Sequence, residues 1–136
     1  MSIQFVDGAR LHLHCVEADR FGVALWLATG SDSHVTTVRN ALAAKGVTIE
    51  DDQLRAARGR VIAVNDERAI YKAAGLEYVE PELREGLGEV EAARSGALPE
   101  LLTMPDIRGV LHCHSHYSDG KASIADMARA AKSRGW

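Results

Sequence analysis

Between residues 21 and 32 the chain reads Phe21-Gly22-Val23-Ala24-Leu25-Trp26-Leu27-Ala28-Thr29-Gly30-Ser31-Asp32, and everything on either side is organised around it. Residues 19–28 are apolar almost all round, the mark of a buried helix. Thr29-Gly30-Ser31 stops that helix. Ser33 then offers a cap for a second helix running to Lys45, with Val35, Val38 and Leu42 on one face. Gly46 follows it as a C-terminal glycine.

Working outward, residues 11–16 alternate with period two and predict a strand, with Asp7-Gly8 as the turn before it. Val47-Thr48-Ile49 and residues 59–64 predict two short strands joined by a polar stretch. Asn65 caps a third helix that carries Asp66 and Glu67 in its first turn, where the helix dipole favours acids; Gly75 closes it. Pro81, Gly86 and Gly88 break up the acidic run from Glu80 to Gly88, which predicts a boundary between there and Pro105. Residues 110–114 predict a strand, 115–122 a loop and 123–134 a helix with Ile124, Met127, Ala128 and Ala131 along one stripe. This last unit has no core of its own and reads as the opening of a larger domain. The predicted class is α+β: helices plus a short antiparallel sheet.

The 136 residues carry a net charge of −3, with 46% hydrophobic and 26% charged residues. Nine acids face four bases within residues 66–100. A strong stand-alone nucleic-acid binder is not expected from this balance, because neutralising phosphates supplies most of that affinity. No apolar run approaches the length of a membrane span. The N-terminus lacks the pattern of a secretory signal. Two cysteines, Cys15 and Cys113, make no disulfide framework, so a reducing, cytoplasmic setting is expected.

Three of the six histidines fall in His112-Cys113-His114-Ser115-His116, with Asp119 close behind. On a strand, His112 and His114 point to one face. With Asp119 from the following turn they form a mixed nitrogen and oxygen set that suits Zn, Mn or Fe. His12 and His14 read as one face of a half-exposed strand, and His34 as a turn or cap residue. Arg39 by itself reads as a solvated helix arginine. Arg55, Arg58 and Arg60 read as a solvated loop face that could also touch a DNA backbone.

Three stretches carry a resemblance. Residues 21–32, continuing through Arg39 and Lys45-Gly46 to Thr48-Ile49, resemble the palm-to-thumb junction of family X DNA polymerases, the DNA polymerase β-like enzymes. Tyr78-Val79-Glu80-Pro81-Glu82-Leu83-Arg84-Glu85-Gly86 is similar to the end of that thumb. His112-Cys113-His114-Ser115-His116-Tyr117-Ser118-Asp119-Gly120 resembles the first motif of the polymerase and histidinol phosphatase (PHP) family. PHP domains are (β/α)7 barrels with a multi-metal phosphoesterase site. Bacterial and archaeal family X enzymes fuse a PHP domain after the thumb, the order seen here.

The resemblance implies a palm remnant at 1–17, a thumb-like domain at 18–88, a linker at 89–105 and the start of a PHP barrel at 106–136. It implies DNA or nucleotide contact around Thr29, Gly30, Ser31, Asp32, Arg39 and Lys45. It also implies metal ligation by His112, His114 and Asp119, and Mg²⁺ in an active parent polymerase. His116 stands where the PHP family varies. There are departures: Leu11-His12-Leu13-His14 occupies the place of the third catalytic aspartate, Leu27-Ala28 that of a Tyr-Phe pair, and Val35 that of an asparagine. The expected function is a DNA-binding thumb of a repair and gap-filling polymerase joined to a PHP phosphoesterase or exonuclease, with these 136 residues not themselves catalytic. The alternative is a PHP phosphoesterase whose polymerase part is degenerate. Expected partners are DNA, bound weakly, the rest of a longer polypeptide and a second copy through residues 123–134; no membrane is expected.

Overall fold

The computed structural model describes all of residues 1–136 and divides into two units, Met1–Leu98 and Pro99–Trp136. In the first unit, β1 (Ser2–Gln4) and β2 (Arg10–His12) form an antiparallel hairpin. A 3₁₀ turn leads into α1 (Phe21–Thr29). Next comes α2 (Asp32–Ala44). A three-stranded antiparallel sheet follows, β3 (Thr48–Glu50), β4 (Gln53–Arg55) and β5 (Val61–Ile62), in the order β3-β4-β5. Then come α3 (Arg68–Ala74), a 3₁₀ turn over Pro81–Leu83, and α4 (Glu89–Ser95). The second unit holds α5 (Ile124–Ser133). The class is α+β, helices with small antiparallel sheets, as the sequence predicts.

One apolar core holds the first unit together. Val23 and Trp26 from α1, Val38 and Leu42 from α2, Leu54 from β4, Ile70, Tyr71 and Ala74 from α3, and Val90 and Ala93 from α4 are all buried. Gly22 lets α1 press onto the chain after β5: a Cβ there would lie 2.6 Å from the Val64 carbonyl oxygen.

Several boundaries differ from the sequence reading. Ser31, not Ser33, caps α2, its hydroxyl accepting the His34 N–H at 3.2 Å. The capping residue sits two positions earlier because Gly30 already ends α1 in extended backbone. The polar stretch between the two expected strands supplies a third, β4, whose Leu54 is buried between flanking polar residues. Residues 89–105, expected as linker, begin with α4, which seats Val90 and Ala93 in the core. The expected strand at 110–114 is not formed: His112 takes φ +57, and no strand lies within Pro99–Trp136 to pair with it. Extended backbone without a partner has no ladder to hold it. The expected helix beside it forms, with Ser123 as its cap. Its stripe of Ile124, Met127 and Ala131 lines an apolar hollow of about 710 Å³.

The β3–β4 hairpin turns on Asp51 and Asp52, both with positive φ (51° and 55°) and with Glu50 paired to Gln53. Two consecutive left-handed residues fit a type I′ turn, for which Asn-Gly is the preferred pair. The double substitution Asp51→Asn, Asp52→Gly should stabilise the chain by about 0.5–2 kcal/mol. Urea melts should show a higher midpoint at unchanged slope.

Candidate nucleic-acid interface

Arg84 is the organising side chain of the first unit. It is a charged group with its side chain at 0% exposure, and burial of a charge is costly unless every donor is met. Nε donates to the Val79 carbonyl at 3.0 Å. Nη1 donates to Glu67 Oε1 at 2.6 Å and to Thr29 Oγ1 at 2.7 Å, and Nη2 donates to the Tyr78 hydroxyl at 3.1 Å. Its backbone carbonyl accepts the Ser31 N–H at 2.9 Å. One residue therefore ties α3, the Tyr78–Val79 segment and the α1–α2 turn together. Burial works against the Arg84 cation, and the Glu67 hydrogen bond with the surrounding negative charge outweighs it, so its pKa is raised.

A second buried string crosses the same region. Trp26 Nε1 donates to the Tyr71 hydroxyl at 3.0 Å, which meets His34 Nε2 at 2.8 Å, and His34 Nδ1 meets Glu89 Oε1 at 2.6 Å. Glu89 also accepts from the backbone N–H groups of Gly86 and Leu87, at 3.1 and 2.7 Å. Burial pushes the Tyr71 hydroxyl up to about 12. Burial would raise Glu89 as well, but the His34 contact and the backbone donors prevail and hold its carboxyl below the usual range.

These contacts set out the residues singled out from the sequence. Thr29 is consumed by the clamp: its hydroxyl donates to the Leu25 carbonyl and accepts from Arg84. Gly30 is a close-approach position, since a Cβ there would sit 3.1 Å from Val35 and 3.2 Å from the His34 ring. Ser31 is spent on capping α2. Asp32, Arg39 and Lys45 are exposed, and none makes a side-chain hydrogen bond or ion pair. The turn thus brings Thr29, Gly30 and Ser31 together as scaffold and leaves the three charged residues at the surface of α2 and its end. Arg55 is half-buried, bonded to Gln53 at 2.8 Å and 3.9 Å from Glu50, whereas Arg58 and Arg60 are exposed. His34 is no turn residue but a fully buried ring.

In the second unit, His114 Nδ1 meets Asp119 Oδ1 at 2.5 Å, and the His112 ring stacks on His114 with centroids 4.9 Å apart. The His114 hydrogen bond lowers the Asp119 pKa. No three His, Cys, Asp or Glu side chains are arranged to hold a metal ion. As they stand, the three are not drawn to one point: His114 Nδ1 faces Asp119, the His112 ring stacks on His114, and His114 Nε2 is left for another partner.

Arg84, Glu67, Tyr71 and Glu89 were not among the residues the sequence singled out. Arg84 had a signal: it stands between acids in Glu82-Leu83-Arg84-Glu85, within the stretch that carries the thumb resemblance. Glu67 had none beyond its place in the first turn of the predicted third helix, and Glu89, in the stretch read as linker, had none.

Residues 24–85 match the family model of the DNA polymerase beta thumb. That span includes Trp26, Thr29, His34, Glu67, Tyr71, Tyr78 and Arg84. The "DNA polymerase/3'-5' exonuclease PolX" of Bacillus subtilis (strain 168) is 33% identical over 122 residues, which cover 89% of this chain and 21% of that protein. The chain spans about a fifth of the length of that curated relative.

Removing the guanidinium strands a Glu67 carboxylate that is only 11% exposed. Arg84→Met should therefore cost about 3–5 kcal/mol, read by chemical denaturation. Glu89, with its folded pKa below the ordinary value, adds stability that is complete above the usual carboxylate range and is lost as pH falls through the folded value. Thermal melts from pH 7 down to about pH 3 should show a smaller acid loss in Glu89→Gln than in the parent chain.

Proposed function

Since this chain belongs to the family X DNA polymerases, we propose that it is the DNA-holding thumb region of a repair and gap-filling enzyme. The single observation that carries this reading is the thumb match over residues 24–85, with the exposed cations Arg39 and Lys45 on α2 and its end. In this reading the clamp around Arg84 keeps the Thr29-Gly30-Ser31 turn fixed. Arg39 and Lys45 meet phosphates or the duplex edge, and Asp32 lies at the nucleotide end of α2. Contacts of this kind position a duplex without reading its sequence. The 136 residues carry out no nucleotidyl transfer themselves. His12 stands in the third aspartate's place, and an imidazole is a poor Mg²⁺ partner.

The finer reading adds a PHP-type phosphoesterase or exonuclease after the thumb. What supports it is the histidine segment at residues 112–120 together with the exonuclease in the printed name of the Bacillus relative. There His112, His114 and Asp119 would be ligands for Zn, Mn or Fe, once the three are drawn to one point. A second reading, a PHP phosphoesterase with a degenerate polymerase part, is favoured by His12, Leu27-Ala28 and Val35.

Titration of a labelled primer–template duplex tests the thumb reading. Two phosphate contacts give a slope of log K against log salt of about −2. Arg39→Ala and Lys45→Ala should each flatten the slope by about 1. Binding that stays tight at about 0.2 M salt, or that neither variant alters, would overturn the reading.

A further inference from the structure

The string through His34 has a direction. An indole N–H only donates, so the Tyr71 oxygen accepts from Trp26. The Tyr71 hydrogen then needs an acceptor, and the nitrogen facing it is His34 Nε2 at 2.8 Å. That leaves Nε2 bare and the ring proton on Nδ1, which donates to Glu89 at 2.6 Å. Glu89 in turn receives Gly86 and Leu87. Every donor faces an acceptor, and the protons run one way, from α1 through α3 and α2 to the turn that opens α4.

This string closes on the first turn of α2. The His34 backbone N–H bonds to Ser31, and its ring lies against Gly30. On the other side, a Cβ at Gly86 would lie 2.5 Å from the Ser33 Cβ, so the Gly86–Leu87 backbone that Glu89 holds is pressed onto the same turn. An apolar set of the same shape could match this arrangement in stability. Only the polar string fixes which rotation of the ring and which placement of the turn is allowed.

We propose that His34, held as the neutral Nδ1–H tautomer between Tyr71 and Glu89, is a positioning residue that fixes the first turn of α2 for DNA. This rests on the thumb reading above. Breaking the string lets α2 sample placements that DNA does not accept, and the apparent affinity then falls by the fraction of chains still correctly placed.

The test uses the whole 136-residue chain. Ring ¹⁵N spectra at pH 7 should show His34 protonated at Nδ1 and bare at Nε2; the reverse tautomer, or a doubly protonated ring, overturns the proposal. Glu89→Gln, and separately Tyr71→Phe, should speed amide exchange at residues 31–35 and weaken duplex binding about tenfold, as a correctly placed fraction of about one in ten would give. Tyr71→Phe serves if Glu89→Gln fails to fold. If the parent chain binds DNA and both variants bind equally well with unchanged exchange, the proposal is wrong and the thumb reading stands. If the parent chain binds no DNA, the thumb reading is wrong, and with it the assignment of DNA as what the turn is positioned for. The tautomer and exchange results then decide whether the string fixes the turn at all.

Discussion

A guanidinium buried with no exposed side-chain surface leaves the chain few ways to fold around it. Arg84 must have its donors met, and they are met from three places in the sequence: Thr29, Glu67, and the neighbours Tyr78 and Val79. Those partners lie up to 55 residues away. Satisfying them all requires α1 to end where Thr29 can accept and α3 to begin where Glu67 can reach inward. It also requires residues 78–84 to run back across both. The Ser31 N–H then finds the Arg84 carbonyl, so the turn between α1 and α2 is a consequence of the same constraint. Tyr71 and Tyr78 close around the cation, ring edge to ring face with centroids 5.3 Å apart, each 5.5 Å from the guanidinium carbon.

The arrangement separates scaffold from surface. Side chains that a sequence reading would assign to ligand contact, Thr29 and Ser31, spend their hydroxyls on contacts within the chain. The charges left free, Asp32, Arg39 and Lys45, sit on the helix that the scaffold orients. A net charge of −3 and so few free cations on α2 give this surface little electrostatic hold on phosphates by itself. The buried polar networks lie within Met1–Leu98; the histidine segment in the second unit has a different character, with an exposed His114–Asp119 pair and no strand beneath it.

Helices with caps and apolar stripes were legible in the sequence. The stripe of Val35, Val38 and Leu42 gave α2, Gly75 closed α3, and Ser123 opened α5; the expected Asn65 cap failed, because α3 starts only at Arg68, whose N–H Asp66 accepts. Shorter elements were not. With seven residues, α4 is too short for a helical period to declare itself, and the glycines before it read as an ending when Gly88 is in fact its left-handed cap. Strand β4 hides its one buried side chain, Leu54, between Gln53 and Arg55. Residues 110–114 show the opposite failure: a strand pattern names what a segment would do beside a partner, and Pro99–Trp136 offers none. The polar networks were the least legible, because a hydrogen bond between His34 and Glu89 spans 55 residues and leaves no local pattern in either neighbourhood.

The claim that Arg84 and the α1–α2 turn form one unit is tested most directly by a double-mutant cycle between Arg84→Met and Thr29→Val, followed by urea denaturation. Coupling through a shared buried network gives an interaction energy within about 0.5–3 kcal/mol, and the 2.7 Å contact between the two side chains predicts a value of at least about 1 kcal/mol. Additivity to within about 0.3–0.5 kcal/mol would contradict the account, because the turn would then be holding its shape without the clamp.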